Sequence, residues 1–176
     1  MINLFFSIKT EKIFFWLIVS LMLLLLTAYH YFPLLYELEI NSIADELNIN
    51  PSLIAAVIKL ESNFDDMALS HSGAFGLMQL MPQTANWLKN QYPIQGSWRE
   101  PLNNIKLGTF YLQKLCSDFE NDIHHTLNAY HMGPNRLKDY LIKNEDYRIS
   151  KYSNRIIFYQ MIYTILYEGF FIYSGE

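Results

Sequence analysis

Apolar positions are arranged along this chain in two different ways. From Ile13 to Tyr29 they are continuous: the run IFFWLIVSLMLLLLTAY holds no charge, no Gly and no Pro, and His30, Tyr31 and Phe32 extend it to Pro33. That length is at the short end of what spans a bilayer core, and the aromatic flanks suit the membrane interface. Beyond Pro33 the apolar positions become periodic. A first amphipathic helix is expected from about Glu37 to Leu47. Asn50 is placed to cap a second, with Pro51 at its first position. Leu53, Val57, Leu60 and Phe64 then recur at the spacing that lines one helical face, and the helix is expected to stop near Asn63. Asp65 to Gly76 reads as loop. A short helix follows Pro82. The break at Tyr92-Pro93-Ile94-Gln95-Gly96 precedes a strongly helical stretch from Asn103 to Phe119. Ile123 to Tyr130 is the next helix, ended by Gly133-Pro134; Asn135 to Lys143 and Ser150 to Phe170 complete the set. The one extended candidate is short, Phe75 to Leu80. The fold class is therefore mainly α, with an N-terminal transmembrane helix. Residues 1–36 form a cytoplasmic stub, anchor and short junction, and residues 37–176 form one helical domain.

Composition changes the picture little. Hydrophobic residues make up 51% of the 176 and aromatics 16%, and much of that excess lies in the N-terminal run. A cleaved signal peptide would have a shorter apolar core and small residues at the cleavage site. Leu26 and Ala28 are the best pair available, and Leu26 fits poorly, so an uncleaved anchor through Ile13–Tyr29 is the preferred reading. Lys9 and Lys12 precede the span while Glu37 and Glu39 follow it. The positive-inside tendency then keeps the N-terminus in the cytoplasm and exports the rest. Cys116 is the only cysteine, which excludes an intramolecular disulfide, and it reads as a buried helix residue. The formal net charge of -4 offers no basic nucleic-acid footprint. His124-His125 resembles a metal pair only superficially: adjacent helical residues point to different sides and no third ligand is evident, so no metal is expected.

Glu61 is the candidate with chemistry. It lies four residues after Val57 and seven after Ile54, on or beside the apolar face. A carboxylate there is costly to ionise, so its pKa should rise and the acid form persist toward neutrality, as proton donation to a leaving group requires. The bland alternative, a Glu that reaches the rim of the face, is the commoner fate of a lone acid.

Three segments raise the first reading above the second: Leu60-Glu61-Ser62-Asn63-Phe64, the stretch from Ser70 to Pro82 (SHSGAFGLMQLMP), and Asn128-Ala129-Tyr130-His131-Met132-Gly133-Pro134. In this order and spacing they resemble the lytic transglycosylase family whose domain is related to goose-type lysozyme. The resemblance covers roughly Ile43 to Tyr163 and implies a compact lysozyme-like helical domain acting on bacterial peptidoglycan glycan strands, without cofactor or metal. It implies that Glu61 is the single acid/base, cleaving between N-acetylmuramic acid and N-acetylglucosamine and leaving a 1,6-anhydro end. The substrate N-acetyl group would steady the cationic centre, among the substrate-assisted exceptions to the two-carboxylate rule.

The resemblance also implies that Ser70 lies near the acid and the sugar, that Gly73 and Gly76 let backbone approach closely or take positive φ, and that Met78 and Gln79 line the glycan groove. By themselves Ser70 before a glycine reads as a turn stabiliser and Leu77, Met78, Leu80 and Met81 read as core, a reading kept for Leu80. Tyr130 matches a tyrosine expected to hydrogen-bond the acid. Tyr152 falls where a second tyrosine often opens the last helix, though the residues before it differ from the usual pattern. The chain holds 13 tyrosines, and either of these also reads as a core residue bonded to backbone. His131-Met132 departs from the family's small Asn-Ala pair; a histidine still donates and accepts there, with altered affinity or pH dependence. Two rivals stand beside this reading. A lysozyme-like hydrolase needs a second carboxylate, for which Asp65 and Asp66 are nearest, both in a loop expected to face solvent. A non-catalytic wall-binding factor would keep the groove and lose turnover. A tethered enzyme on the outer face of a bacterial cytoplasmic membrane suits trimming of new strands or opening a gap for a secretion or sporulation assembly. The aromatic last helix, with Phe158, Tyr159, Tyr163, Tyr167, Phe170 and Phe171, is expected to be mostly core.

Overall fold

The computed structural model describes residues 2–143, 150–167 and 169. The chain divides into two compact units, Met1–Pro33 and Leu34–Glu176. The first is a single helix, α1 (Ile2–Tyr31). Its apolar part, Glu11–Tyr31, is 21 residues long, with none of its most apolar stretch buried against protein. At 1.5 Å per residue that is about 31 Å, the thickness of a bilayer core. The hydroxyl of Thr27, near the C-terminal end of the apolar run, donates back to the Leu24 carbonyl at 2.7 Å and is so satisfied within its own helix.

The second unit holds seven helices among the described residues: α2 (Glu37–Leu47), α3 (Pro51–Glu61), α4 (Pro82–Lys89), α5 (Pro101–Asp118), α6 (Ile123–Met132), α7 (Pro134–Lys143) and α8 (Lys151–Tyr167). Their starts follow local chemistry. The Asn50 side chain accepts from the Ser52 amide at 2.9 Å, with Pro51 opening α3. Asp122 caps α6 through the His125 amide at 2.9 Å. Ser150 caps α8 by accepting from the Ser153 amide at 3.0 Å.

Helix α3 is the central element. Residues 51–58 are buried throughout, because α8 packs along one side and α2 along another. Helix α5 lies against α2, α4 and α6, and a second apolar cluster, including Leu88, Leu107, Leu115 and Leu137, fills the space between α4, α5, α6 and α7. No strand forms among the described residues. The extended candidate from Phe75 to Leu80 appears as isolated bridges, Phe75 pairing with both Leu69 and Leu80. The 65–81 segment is thus a folded-back loop, tied by the Ser70 amide to the Ala74 carbonyl (2.9 Å) and the Gly76 amide to the Ala68 carbonyl (2.9 Å).

Two expectations change. In α8, Tyr163 and Tyr167 are core and stack on each other at 5.8 Å, but Phe158 is 54% exposed on the opposite side of the helix. A helix packed against α3 and α6 along one side leaves its other side in solvent, whatever its aromatic content. Phe170 and Phe171 lie outside the described residues. Cys116 is half-buried, not core, with its sulfur within 3.7 Å of the Thr126 hydroxyl.

Candidate active site

Glu61 is the last residue of α3. Its helix is buried up to Ile58, then emerges, so the carboxyl arrives at the edge of the core with one side open to a cleft of about 420 Å³. Ser70, Gln79, Tyr130 and His131 line the same cleft. Tyr152, at the second position of α8, donates its hydroxyl proton to Glu61 Oε1. Burial pushes the Glu61 carboxyl above the usual carboxylate range, and the Tyr152 hydrogen bond opposes this without cancelling it. Burial and the nearby Glu61 raise the phenols of Tyr130 and Tyr152 well above their ordinary range, so both remain protonated donors at neutral pH.

The two tyrosines therefore differ from expectation in which one serves the acid. Tyr130 donates to the Met78 carbonyl at 2.7 Å, not to Glu61. Its ring also packs on Tyr111, centroids 5.4 Å apart, so it braces the loop that forms the cleft wall. Tyr152, the weaker match in sequence, holds the carboxyl.

Met78 also departs from its expected place. Its side chain is fully buried, with its sulfur accepting from Thr109 Oγ1 at 3.8 Å. Gly108 of α5 leaves the space it fills: a Cβ there would stand 2.3 Å from the Met78 sulfur. A side chain seated against a helix in this way cannot also line the groove; only its carbonyl takes part, as the acceptor for Tyr130.

Gly76 takes φ +81°, and a Cβ on it would meet the Asn104 amide nitrogen at 2.7 Å, so both the turn and the close approach require glycine. Gln79 faces the cleft at φ +47°, its side-chain amide donating to the Ala68 and Gly76 carbonyls at 3.0 and 2.9 Å. Ser70 Oγ accepts from the Ala74 amide at 2.9 Å, the turn role, while still lining the cleft. Gly73 has φ +87° in the same turn. Leu80 is buried, as its own pattern indicates, although it borders the cleft floor.

Asn104 escaped the sequence reading. Fully buried on α5, it accepts from the Met78 amide at 2.8 Å and donates to the Phe75 carbonyl at 3.1 Å, fastening the 75–78 turn. Ser62 adds a second tie, donating to the Leu77 carbonyl at 2.8 Å. An asparagine on the helical face that otherwise presents Leu107, Tyr111 and Leu115 to the core was the available signal, since buried amides are retained where backbone needs partners.

Among the described residues lining the cleft, Glu61 is the one carboxylate. Asp65 Oδ1 accepts from the Met67 amide at 2.9 Å, and Asp66 accepts from the Tyr36 hydroxyl at 3.1 Å; neither lines the cleft. Among the described residues, no three His, Cys, Asp or Glu side chains gather as a metal centre. The arrangement is that of one half-desolvated acid, held by a phenol, beside a groove.

Comparison with known proteins places this geometry in a wider set. Residues 39–153 match the transglycosylase SLT domain. The soluble lytic murein transglycosylase of Salmonella typhimurium is 34% identical over 115 residues, which cover 62% of this chain and 18% of that protein. The membrane-bound lytic murein transglycosylase C of Haemophilus ducreyi is 34% identical over 91 residues, covering 48% and 24%. Among solved structures, the 70 kDa soluble lytic transglycosylase of Escherichia coli aligns with a TM-score of 0.71 at 27% identity, covering 78% of this chain and 25% of that one. The chain thus spans about a quarter or less of the length of these relatives.

Proposed function

This chain belongs to the transglycosylase SLT domain family, and from that premise we propose that it is a membrane-anchored lytic transglycosylase acting on the glycan strands of peptidoglycan. The observation that carries the proposal is Glu61 itself: a carboxyl with raised pKa, bonded by Tyr152, opening on a cleft where it is the one carboxylate among the described lining residues.

The chemistry follows from having a single acid. Protonated Glu61 gives its proton to the glycosidic oxygen between N-acetylmuramic acid and N-acetylglucosamine as that bond breaks. The carboxylate left behind takes the proton of the muramic acid 6-hydroxyl while that oxygen closes on the anomeric carbon, forming the 1,6-anhydro ring. The proton balance closes on one residue, so no second carboxylate is needed to activate water. The substrate N-acetyl group steadies the cationic centre between the two steps. Ser70 and Gln79 border the sugar, Gly76 allows the wall to turn, and Tyr130 holds that wall through the Met78 carbonyl. A lysozyme-like hydrolase is the weaker reading, because Asp65 and Asp66 are engaged elsewhere.

The relatives include membrane-bound enzymes, and α1 is long and apolar enough to cross a bilayer. We assign the N-terminus to the cytoplasm and the catalytic domain to the extracytoplasmic side, from Lys9 and Lys12 before the span and Glu37 and Glu39 after it.

Mass analysis of products from purified peptidoglycan tests the activity. Anhydro-muramic ends are expected from the parent, with turnover falling by about 10²- to 10⁴-fold in Glu61→Gln. Hydrated reducing ends would establish a hydrolase instead. No product from a folded parent that still binds peptidoglycan would leave a wall-binding factor.

A further inference from the structure

Helix α6 presents one face to the opening turn of α8. His124, Asn128 and His131, at i, i+4 and i+7, stand in a row along it. His124 Nδ1 meets the Ser153 hydroxyl at 3.1 Å. Asn128 Oδ1 accepts from the Ser150 hydroxyl, and Ser150 in turn caps α8. His131 lies flat on the Tyr152 ring, centroids 4.3 Å apart and planes within 17°. The three contacts seize the turn that carries Tyr152. The first two hold its backbone; only the third touches the ring whose hydroxyl reaches Glu61.

We propose that His131 is a positioning residue for the acid: its ring, stacked on Tyr152, keeps the phenol in the orientation from which it donates to Glu61. This rests on the reading of Glu61 as the acid/base. The physical reason is rotational. Cap bonds fix where Tyr152 starts, but its two side-chain torsions remain free to swing unless a surface blocks them. A flat neutral ring at stacking distance is such a surface, and offset or parallel aromatic pairs resist being parted. Partial burial and the nearby Arg136 hold the His131 imidazole below its ordinary pKa, which favours the uncharged ring in neutral solution. The titratable and charged groups around the pair are Glu61 from α3, Tyr130 from α6 itself and Arg136 from α7; Tyr111 on α5 acts one step away, through Tyr130.

The consequence is measurable at the acid. The Tyr152 hydrogen bond is what pulls the Glu61 pKa down against burial. Loosening Tyr152 therefore moves the Glu61 pKa further up and misplaces the proton donor. The test uses the full-length chain in detergent micelles with ¹³C-labelled glutamate, following the Glu61 carboxyl through a pH titration, with glycan turnover measured in parallel. In His131→Ala and in His131→Gln, neither of which offers an aromatic face, the Glu61 pKa is expected to rise. Where the parent turns over, kcat is expected to fall by about three- to tenfold with KM little changed. His131→Phe, which keeps the flat face and loses the charge and hydrogen bonds, is expected to return both toward the parent. His131 is solvent-exposed at the cleft rim, so all three variants are expected to fold, as circular dichroism would check.

An unmoved Glu61 pKa in folded His131→Ala and His131→Gln overturns the proposal. So does a rise in KM alone, which would make His131 a sugar contact, or a failure of His131→Phe to restore the titration. The carboxyl titration needs no turnover, so it decides the matter even if the chain proves to cleave no glycan.

Discussion

At the residue scale the decisive fact is the cost of ionising Glu61. Its folded-state pKa is raised, by burial first and with Tyr152 opposing. The linkage sign follows. The folded state prefers the protonated carboxyl, so the contribution to stability is fully present below the unfolded carboxylate range and is lost as pH rises through the folded pKa. Glu61→Gln removes that loss. The variant is expected to melt at a higher temperature than the parent at pH 7, with the gap closing as pH falls toward about 4. Thermal denaturation at the two pH values checks this; a gap that grows in acid would mean the carboxyl is stabilised as an anion. Tyr152→Phe works in the other direction on catalysis. Without its hydroxyl the Glu61 pKa rises further, and the alkaline limb of the pH–rate profile is expected to move up. Turnover should fall by about 10- to 100-fold, the equivalent of a hydrogen bond to a charged group. Tyr130→Phe, whose hydroxyl serves the Met78 carbonyl, should leave that limb where it is. A pH profile measured on both variants separates the two tyrosines.

At the element scale, α5 supports the cleft it barely touches. Asn104 bonds both ends of the 75–78 turn, at the Phe75 carbonyl and the Met78 amide, and Gly108 makes room for Met78. Asn104→Leu leaves the Met78 amide buried without its partner and takes one of two hydrogen bonds from the Phe75 carbonyl, which keeps the Leu80 amide, and about 1–3 kcal/mol of stability is expected to be lost. Gly108→Ala is the sharper case. Alanine in a helix interior normally gains about 1 kcal/mol over glycine. Here the added carbon also lies 2.7 Å from the Met78 Cβ, which no rotation of the Met78 side chain relieves. Overpacking of about 1–3 kcal/mol should win, so the variant is expected to be less stable than the parent by urea denaturation. A gain in stability would mean that α5 shifts freely beneath the loop. The helices themselves were largely legible: α2 spans Glu37–Leu47, where its periodicity put it, and α3 opens at Pro51 behind Asn50, as capping chemistry requires. The loop was legible from Asp65 to Gly76, and Phe75 to Leu80 as a short extended candidate, but which residues bridge at Phe75 was not, since that depends on pairing across a turn.

At the scale of the whole molecule, the two units have opposite surfaces. The α1 unit exposes Trp16, Leu24 and their neighbours along its length, whereas the second unit gathers a buried aliphatic core, with Ile40, Ile54, Leu107, Leu112 and Leu115 inside, and leaves single apolar side chains such as Leu38, Ile142 and Ile165 exposed. An uncleaved anchor predicts that the full chain sediments with membranes at its full mass of 20.8 kDa. A reporter fused after Glu176 should then be active only where outer-face enzymes are. Recovery of a shortened, soluble product would instead identify the N-terminal run as a removed leader.

The sequence by itself determined the helical class, most helix starts and stops, the membrane-length run, and the place of the acid at the end of a buried helix. Those features rest on interactions within about four residues or on continuous composition, which a linear reading captures. Only the tertiary structure decided which tyrosine holds Glu61, that Met78 points into the core, and that Asn104 fastens the cleft wall. The pairs concerned lie 91, 31 and 26 residues apart along the chain. Contacts at that separation are chosen by how the helices pack. Tyr130 and Tyr152 both point toward the same small volume, and α6 and α8 must be docked before one of them reaches the acid and the other the loop.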